Sequence, residues 1–409
     1  MSSEILQSSS KWKTECVGNV FDIQQGKQVS KKNRIGDNQR PFLRTRNVFW
    51  GRLDTTELDE MNFTHSEEQK LKLNRGDLLL CEGGSVGRTA VWDREQDDIY
   101  YQNHLFRLRV KNNRIDPFFA MLWFWYAFEI GGVYFGRANS TTIANLSKSR
   151  LSELPILVPD ISIQKKIVLI ISTVMESKNQ HGKIEGFSSE LLSAVMMHLF
   201  SHGLHNETRK NTEIGYVPES WRKFSLGDVI CLEYGKPLPK EDRDPTGSFP
   251  VFASNGEKTR SNKFHCQKPT IIVGRKGSAG KLTLTEEKCW PLDVTFYVTF
   301  DSEKFDLKFL YYLLKTINLP SLASGIKPGI NRNHVYSEQV YLPSLGEQKE
   351  IANILEVIQT KIDNSVEKQD ILQELFQSLL IELMTSQIDV DEIDFSTYNF
   401  ESKVFEEVN

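Results

Sequence analysis

GDLLLCEGGSVGRTAV, residues 76–91, and PTIIVGRKGSAGKLTL, residues 269–284, are two versions of one plan: an apolar run enters a glycine turn and leaves it on a base. Gly84 stands opposite Gly277, Gly87 opposite Gly280, and Arg88 opposite Lys281. Working outward from this pair, the rest of the chain falls into the same two registers. WKTECVGNV from Trp12 matches WRKFSLGDV from Trp221, and the aromatic helix candidate DPFFAMLWFWY from Asp116 matches DLKFLYYLLK from Asp306. LSELPILVPDISIQKKI from Leu151 then matches VYSEQVYLPSLGEQKEI from Val335, which sets Pro159 against Pro343 and Gln164 against Gln348. Similarity repeated in this order marks a duplicated unit, hence two equivalent sites. Short strands and helices mixed within each copy predict an α+β fold.

Each copy finishes on a long amphipathic helix. In the first, Ile167, Ile171, Val174, Leu192, Val195 and Leu199 fall on alternating steps of four and three, with Lys178, His181, Glu185 and Ser188 filling the middle of the seam. In the second, Ile351, Leu355, Ile358, Ile362, Leu372, Phe376, Leu379 and Leu383 keep those steps around Ser365 and Gln369. This is coiled-coil spacing. The pattern fits parallel and antiparallel pairing alike. A pair that leaves one globular segment at each end has to be antiparallel, because the second globular segment lies between the helices in sequence. At ~1.5 Å per residue each helix spans about 50 Å, the scale of one to two turns of duplex DNA at about 34 Å per turn.

At 409 residues with 39% hydrophobic residues the chain is long enough for two or three domains with their own cores. Its five cysteines (Cys16, Cys81, Cys231, Cys266, Cys289) are scattered without a CxxC pair, which fits a reducing cytoplasm better than a disulfide framework. No apolar stretch reaches the ~20 residues of a membrane span. The net charge of -4 is concentrated at the end, where the stretch from Ser386 carries seven acids against the single base Lys403. The remainder is slightly basic, so the placement of bases matters more than the total.

Catalysis has no visible home. GRKGSAGKLT (residues 274–283) resembles a phosphate loop only superficially, because Leu282 follows Lys281 where the fingerprint needs Ser or Thr, and a second strand-like run follows instead of a helix. His198, His202 and His205 lack the carboxylate of a zinc helix, and His205 lies beyond Gly203, where the helix should end. Glu286, Glu287 and Lys288 have no matching element in the first half, and no Asn-Pro-Pro-Tyr signature of an adenine methyltransferase is present.

Bases and amides instead recur at corresponding loops. The first half offers Lys27, Lys31, Lys32, Arg34, Arg40, Arg44, Arg46, Arg88, Gln102, Asn103, Arg137 and Asn139. The second offers Lys236, Lys240, Arg243, Ser254, Asn255, Lys258, Arg260, Arg275, Lys276, Lys281, Asn331 and Arg332. These are the side-chain types that meet phosphates and base edges. A shared frame with divergent loops is what two readers of different short sequences require.

With these segments, the junction HLFSHGLHNETRKNTEIGYVPESW from His198, WPLDVTFYV from Trp290 and IKPGINRNHVYSEQVYLPSLGEQKEIANIL from Ile326, the chain resembles the specificity subunits of type I restriction-modification systems over nearly its whole length. The resemblance implies target-recognition domains at 1–159 and 221–343, spacer helices at 160–202 and 344–386 paired as an antiparallel coiled coil, and a linker at 203–220. It implies that each domain reads half of a bipartite double-stranded DNA target, while the helices set the gap and dock two methyltransferase subunits. Methylation of adenine with S-adenosylmethionine, and cleavage by ATP- and Mg2+-dependent restriction subunits, would then reside in partners within a bacterial or archaeal cytoplasm. The acidic tail at 387–409 falls outside the family pattern and has the composition of a disordered segment. The competing reading is a coiled-coil scaffold with protein-binding ends, which would show no salt-dependent affinity for DNA.

Overall fold

The computed structural model describes residues 12–95, 98–134, 146–324 and 329–395. The chain divides into two compact units: the first runs to Gly182 and resumes at Glu367, and the second comprises Lys183–Val366.

In the first unit a four-stranded antiparallel sheet runs in the order Phe21–Gln25, Leu105–Val110, Asp77–Cys81, Thr89–Trp92. After Asp77, which pairs with Arg109, the run LLLC is apolar because both of its faces are covered. Leu78 and Leu80 enter one core while Leu79 and Cys81 enter another, as the two-residue period of a strand dictates. A smaller sheet sets Gln39–Leu43 between Asp59–Asn62 (antiparallel) and Tyr100–Tyr101 (parallel). Lys13–Cys16 pairs with Pro155–Val158, which ties the start of the unit to the entry of the first long helix.

The second unit repeats this plan strand for strand. Its sheet runs Ile230–Tyr234, Thr295–Phe300, Thr270–Gly274, Leu282–Thr285. Phe249–Ala253 lies between Gly256–Ser261 and Trp290–Pro291, and Arg222–Ser225 pairs with Gln339–Leu342. The copies differ in the connections. Ser254 and Asn255 join two strands directly in the second unit, whereas the first inserts the hairpin Val48–Phe49/Arg52–Leu53 and the helix His65–Leu71.

Aromatic helices follow in both copies. Asp116 caps Pro117–Trp125 by accepting from the Phe118 and Phe119 amides, and Asp306 caps Leu307–Thr316 by accepting from Phe309. Each cap is held by a buried glutamine. Gln164 accepts from the Asp116 amide (2.7 Å) and donates to the carbonyls of Arg114 (2.8 Å) and Pro159 (2.7 Å). Gln348 repeats the pattern with Asp306 (3.0 Å), Lys304 (3.3 Å) and Pro343 (3.1 Å).

The long helices are Ile161–His202 (42 residues) and Leu345–Met384 (40 residues). They run antiparallel in each unit. In the first, Ile167, Val168 and Ile171 share a core with Phe376, Leu380, Leu383 and Met384, while Lys178 bonds Gln373 and Gly182 lies against Gln369. In the second, Leu192 and Leu199 share a core with Ile351 and Leu355, with Val195, Ile358 and Ile362 partly buried beside them and Ser188 and Ser365 buried. Seam positions Val174, Val195, Ile358, Ile362, Leu372 and Leu379 are partly buried, and Leu380 and Met384, outside the expected seam, are buried beside Phe376 and Leu383. The apolar face there is wider than a two-helix seam because it packs against the globular core as well.

The tail up to residue 395 is packed rather than disordered as its composition suggests, and 396–409 lie outside the described residues. Val390 is buried in the first unit's core with Ile388 beside it, and Lys166 bonds Asp391 at 2.6 Å. Among the described residues no helix is long and apolar enough to cross a membrane.

Candidate nucleic-acid interface

Backbone hydrogen bonds fix the two glycine turns in the same way. Gly87 donates to the Cys81 carbonyl (3.0 Å), Arg88 to Ser85 (3.2 Å) and Cys81 to Arg88 (2.9 Å). In the second unit Gly280 donates to Gly274 (2.8 Å), Lys281 to Ser278 (3.2 Å) and Gly274 to Lys281 (2.8 Å). Gly87 and Gly280 adopt φ values of +85° and +84°. A Cβ at the first would come within 2.2 Å of the Phe128 ring and at the second within 2.6 Å of the Pro320 nitrogen, so glycine is required at both.

The common frame reaches well beyond the turns. Gly26 donates to Leu105 and Lys27 to Tyr101, as Gly235 does to Thr295 and Lys236 to Pro291. The Glu82 amide donates to His104 and its carbonyl accepts from Leu146, while the Arg275 amide donates to Val294 and its carbonyl accepts from Ile330. Gln25 pairs with Phe106 as Tyr234 pairs with Phe296. Position by position, Gln25 therefore corresponds to Tyr234, Glu82 to Arg275 and His104 to Val294.

On this frame the candidate residues sort into internal and outward groups. Lys27 is internal: its side chain is 8% exposed, and its ammonium bonds Glu67 (2.6 Å) and the Asn62 carbonyl (2.7 Å). Burial pulls the Glu67 carboxyl upward, yet hydrogen bonds from Lys27 and Thr64 outweigh this and hold it below its ordinary range. Gln102 is buried, and Asn103 offers its carbonyl to Gln25. These residues build the frame, which corrects the expectation that Lys27 and Gln102 face a ligand. Arg40 pairs with Glu68, and Arg44 and Arg46 share Asp59. Arg88 folds back onto the Val48 carbonyl and Ser85, over the Phe49 ring. Lys31, Lys32 and Arg34 project outward, while Arg137 and Asn139 lie outside the described residues.

The second unit keeps more of its candidates at the surface. Lys236, Lys240, Asn255, Lys258, Lys276, Lys281, Asn331 and Arg332 are exposed, and Ser254 is half-buried. Lys281 reaches the Asn255 carbonyl (2.6 Å), which draws the glycine turn toward the neighbouring hairpin. Asn331 caps the helix Arg332–Ser337 through the Asn333 amide. Arg243 is turned inward onto the Leu238 carbonyl, and Arg260 pairs with Glu257 and Glu287. Burial and the neighbouring Lys236 charge push the His265 imidazole below its ordinary value.

Arg275 and Arg332 meet on one ring. Their guanidinium carbons lie 5.2 and 5.3 Å from the centre of Tyr234, which is 48% exposed. Arg275 also donates to the Asp293 carbonyl (2.6 Å), and its Nε is buried without a partner. In the first unit the corresponding place holds a carboxylate: Glu82 accepts from Gln25 Nε2 (3.2 Å) with His104 Nδ1 at 3.4 Å. Reading the sequence for bases and amides passed over Glu82, Gln25, His104 and Tyr234. The signal was present in the turn alignment itself, which sets Glu82 opposite Arg275.

The family described as type I restriction modification DNA specificity domain matches residues 9–185 and again 218–375. A putative type I restriction enzyme MjaX specificity subunit of Methanocaldococcus jannaschii is 22% identical over 412 residues, covering 95% of this chain and 96% of that protein. A putative type I specificity subunit of Mycoplasma pneumoniae is 24% identical, covering 67% of this chain and 84% of its own length. Among solved structures, the type I restriction-modification S subunit of M. genitalium superposes with a TM-score of 0.64 at 18% identity, covering 91% of this chain and 96% of that one. A chain from a study of type I R-M complex assembly gives a TM-score of 0.55 at 15% identity, covering 91% and 97%. At these identities the structures speak to the fold.

Proposed function

This chain belongs to the type I restriction-modification DNA specificity family, and on that premise we propose that each unit reads one half of a bipartite double-stranded DNA target, with the long helices setting the gap. The observation that carries this reading is the duplicated frame. The same backbone hydrogen bonds hold Glu82 and Arg275, and Lys27 and Lys236, while the side chains and connections around them differ. Two copies that agree in scaffold and disagree at the tips are suited to two different short sequences.

Methyl transfer with S-adenosylmethionine and cleavage with ATP and Mg2+ belong in this reading to partner subunits of the cytoplasmic complex, and the chain itself supplies recognition. Exposed apolar side chains on the long helices support the docking of two methyltransferase subunits. Phe187, Leu191 and Val357 stand out in the second unit, and Ile371 and Leu375 in the first.

The test is a domain exchange. The segment from Trp12 to Val158 is replaced by its counterpart from a relative, the chimera is expressed with the cognate methyltransferase, and methylated adenines are mapped. One half of the motif should change, with the other half and the gap retained. Coupled change of both halves, or an unaltered motif from a folded chimera, overturns the reading.

A further inference from the structure

The structure assigns Glu82 and Arg275 to the same place in the two units, and we propose that both read base edges, with opposite hydrogen-bond polarity. Arg275 takes a guanine, whose O6 and N7 are both acceptors in the major groove, and Glu82 takes the exocyclic amine of cytosine or adenine. This proposal rests on the bipartite DNA reading above and adds the chemistry of one position in each half.

The correspondence is set by the main chain. Each of the two residues follows the first strand of its hairpin (Asp77–Cys81 or Thr270–Gly274), opens its glycine turn, donates its amide to an equivalent carbonyl (His104 or Val294) and accepts from an equivalent amide (Leu146 or Ile330). Related units that dock on DNA in the same orientation bring these positions to equivalent points on the duplex.

Charge then separates base edge from backbone. A phosphate-contacting position tolerates a cation and repels a carboxylate, so a place that holds Arg275 in one copy and Glu82 in the other is poorly suited to phosphate in both. A base edge admits either sign, because it offers acceptors on guanine and donors on cytosine and adenine.

The surroundings follow the same division. Arg275 and Arg332 share the Tyr234 ring, and neither has a carboxylate within 4.0 Å among the described residues. The Arg275 Nε is buried and one terminal nitrogen donates to the Asp293 carbonyl (2.6 Å), which fixes the guanidinium on the ring and leaves its other terminal nitrogen without a carboxylate partner among the described residues. Glu82 instead keeps Gln25 and His104 close, with its side chain 15% exposed. One site is thus a donor fork on an aromatic support, and the other an acceptor held by polar neighbours.

The experiment uses the full chain with its cognate methyltransferase, read by the motif of methylated adenines and by DNA affinity at several salt concentrations. A wild-type motif is expected to fix a guanine in the half read by the second unit. In R275A that guanine should become degenerate, with discrimination falling about tenfold to a hundredfold while the salt slope stays the same. R275K should degrade the guanine too, since lysine keeps the charge and loses the bidentate fork, and it covers the case in which the alanine variant does not fold. E82Q should alter only the other half-site. A wild-type motif with no guanine in that half overturns the proposal while leaving the DNA reading intact. Uniform weakening across sequences, with a slope reduced by about one in R275A and restored in R275K, also overturns it by making Arg275 a phosphate contact. Absence of any sequence-specific binding by the wild-type assembly would instead bring down the DNA reading itself.

Discussion

Replacing Gln164 by alanine strips a fully buried side chain that bonds three separate backbone groups. The amide makes three hydrogen bonds of 2.7–2.8 Å, one from Asp116 and two to the carbonyls of Arg114 and Pro159. Truncation leaves the buried Pro159 carbonyl and the part-buried Asp116 N–H and Arg114 carbonyl without this partner, at up to ~1–3 kcal/mol each less whatever water entering the vacated space restores. It also loosens the cap of Pro117–Trp125 at the point where the first long helix begins. The expected loss is about 3–5 kcal/mol, a large share of the ~5–15 kcal/mol typical of a folded domain. Q348A removes the same three bonds at 3.0–3.3 Å and should cost less, about 2–3 kcal/mol. Because a chain of two units need not unfold in one step, urea unfolding should be combined with hydrogen exchange at the Asp116 and Asp306 amides. Each variant should lose protection mainly in its own unit. Q164E, which keeps the acceptor but sets a buried carboxylate oxygen against the two carbonyls, should cost at least as much as Q164A at neutral pH. A Q164A loss below about 0.5 kcal/mol, with Asp116 protection unchanged, would refute the reasoning.

Other outcomes follow from the same structure. L380A should cost ~2–5 kcal/mol, as for a fully buried leucine, whereas L379A should cost clearly less, and thermal melts of the pair decide this. The Glu67 carboxyl is depressed in the folded state, so its pair with Lys27 stabilises above the ordinary glutamate value of 4.5 and loses that contribution as pH falls through the lower folded value. A pH series of unfolding free energies should therefore show an acid-limb component that K27M lacks. Iodoacetamide at mild alkaline pH should label exposed Cys16 and Cys231 well before Cys81, whose buried thiol is pushed up to about 12, as peptide mass spectrometry can follow. K281A should weaken DNA binding by the assembled complex and lower its salt slope by about one, and an unchanged slope assigns Lys281 to the turn alone.

Duplication was legible in the sequence because the frame needs particular residues at fixed places. Glycine at 87 and 280 avoids a clash with a ring or a backbone, and Gln164 and Gln348 answer the same three backbone groups. The long helices were legible from their period. Less visible was the partner of each charged residue. Lys27 reads as a loop cation until a carboxylate forty positions later, Glu67, folds onto it, and Gln102 reads as a free amide until the two sheets enclose it. Leu380 and Met384 fall outside a strict seam and are buried because a third layer covers them. Glu82 was missed for a different reason: a search for bases overlooks an acid, although recognition of base edges uses both signs.

The division of the chain into units has a consequence for how it is made. The core of the first unit includes Phe376, Leu380, Leu383, Met384 and Val390, which leave the ribosome only after the entire second unit has been synthesised. At roughly 5–20 residues per second, the interval between Gly182 and Glu367 lasts on the order of ten to forty seconds. During that time Ile167, Val168 and Ile171 lack their final apolar cover, whereas the second unit, continuous in sequence, can close as soon as it emerges. A segment translated after the second unit thus completes the first, so early termination after Val366 would leave the second unit whole and the first unfinished.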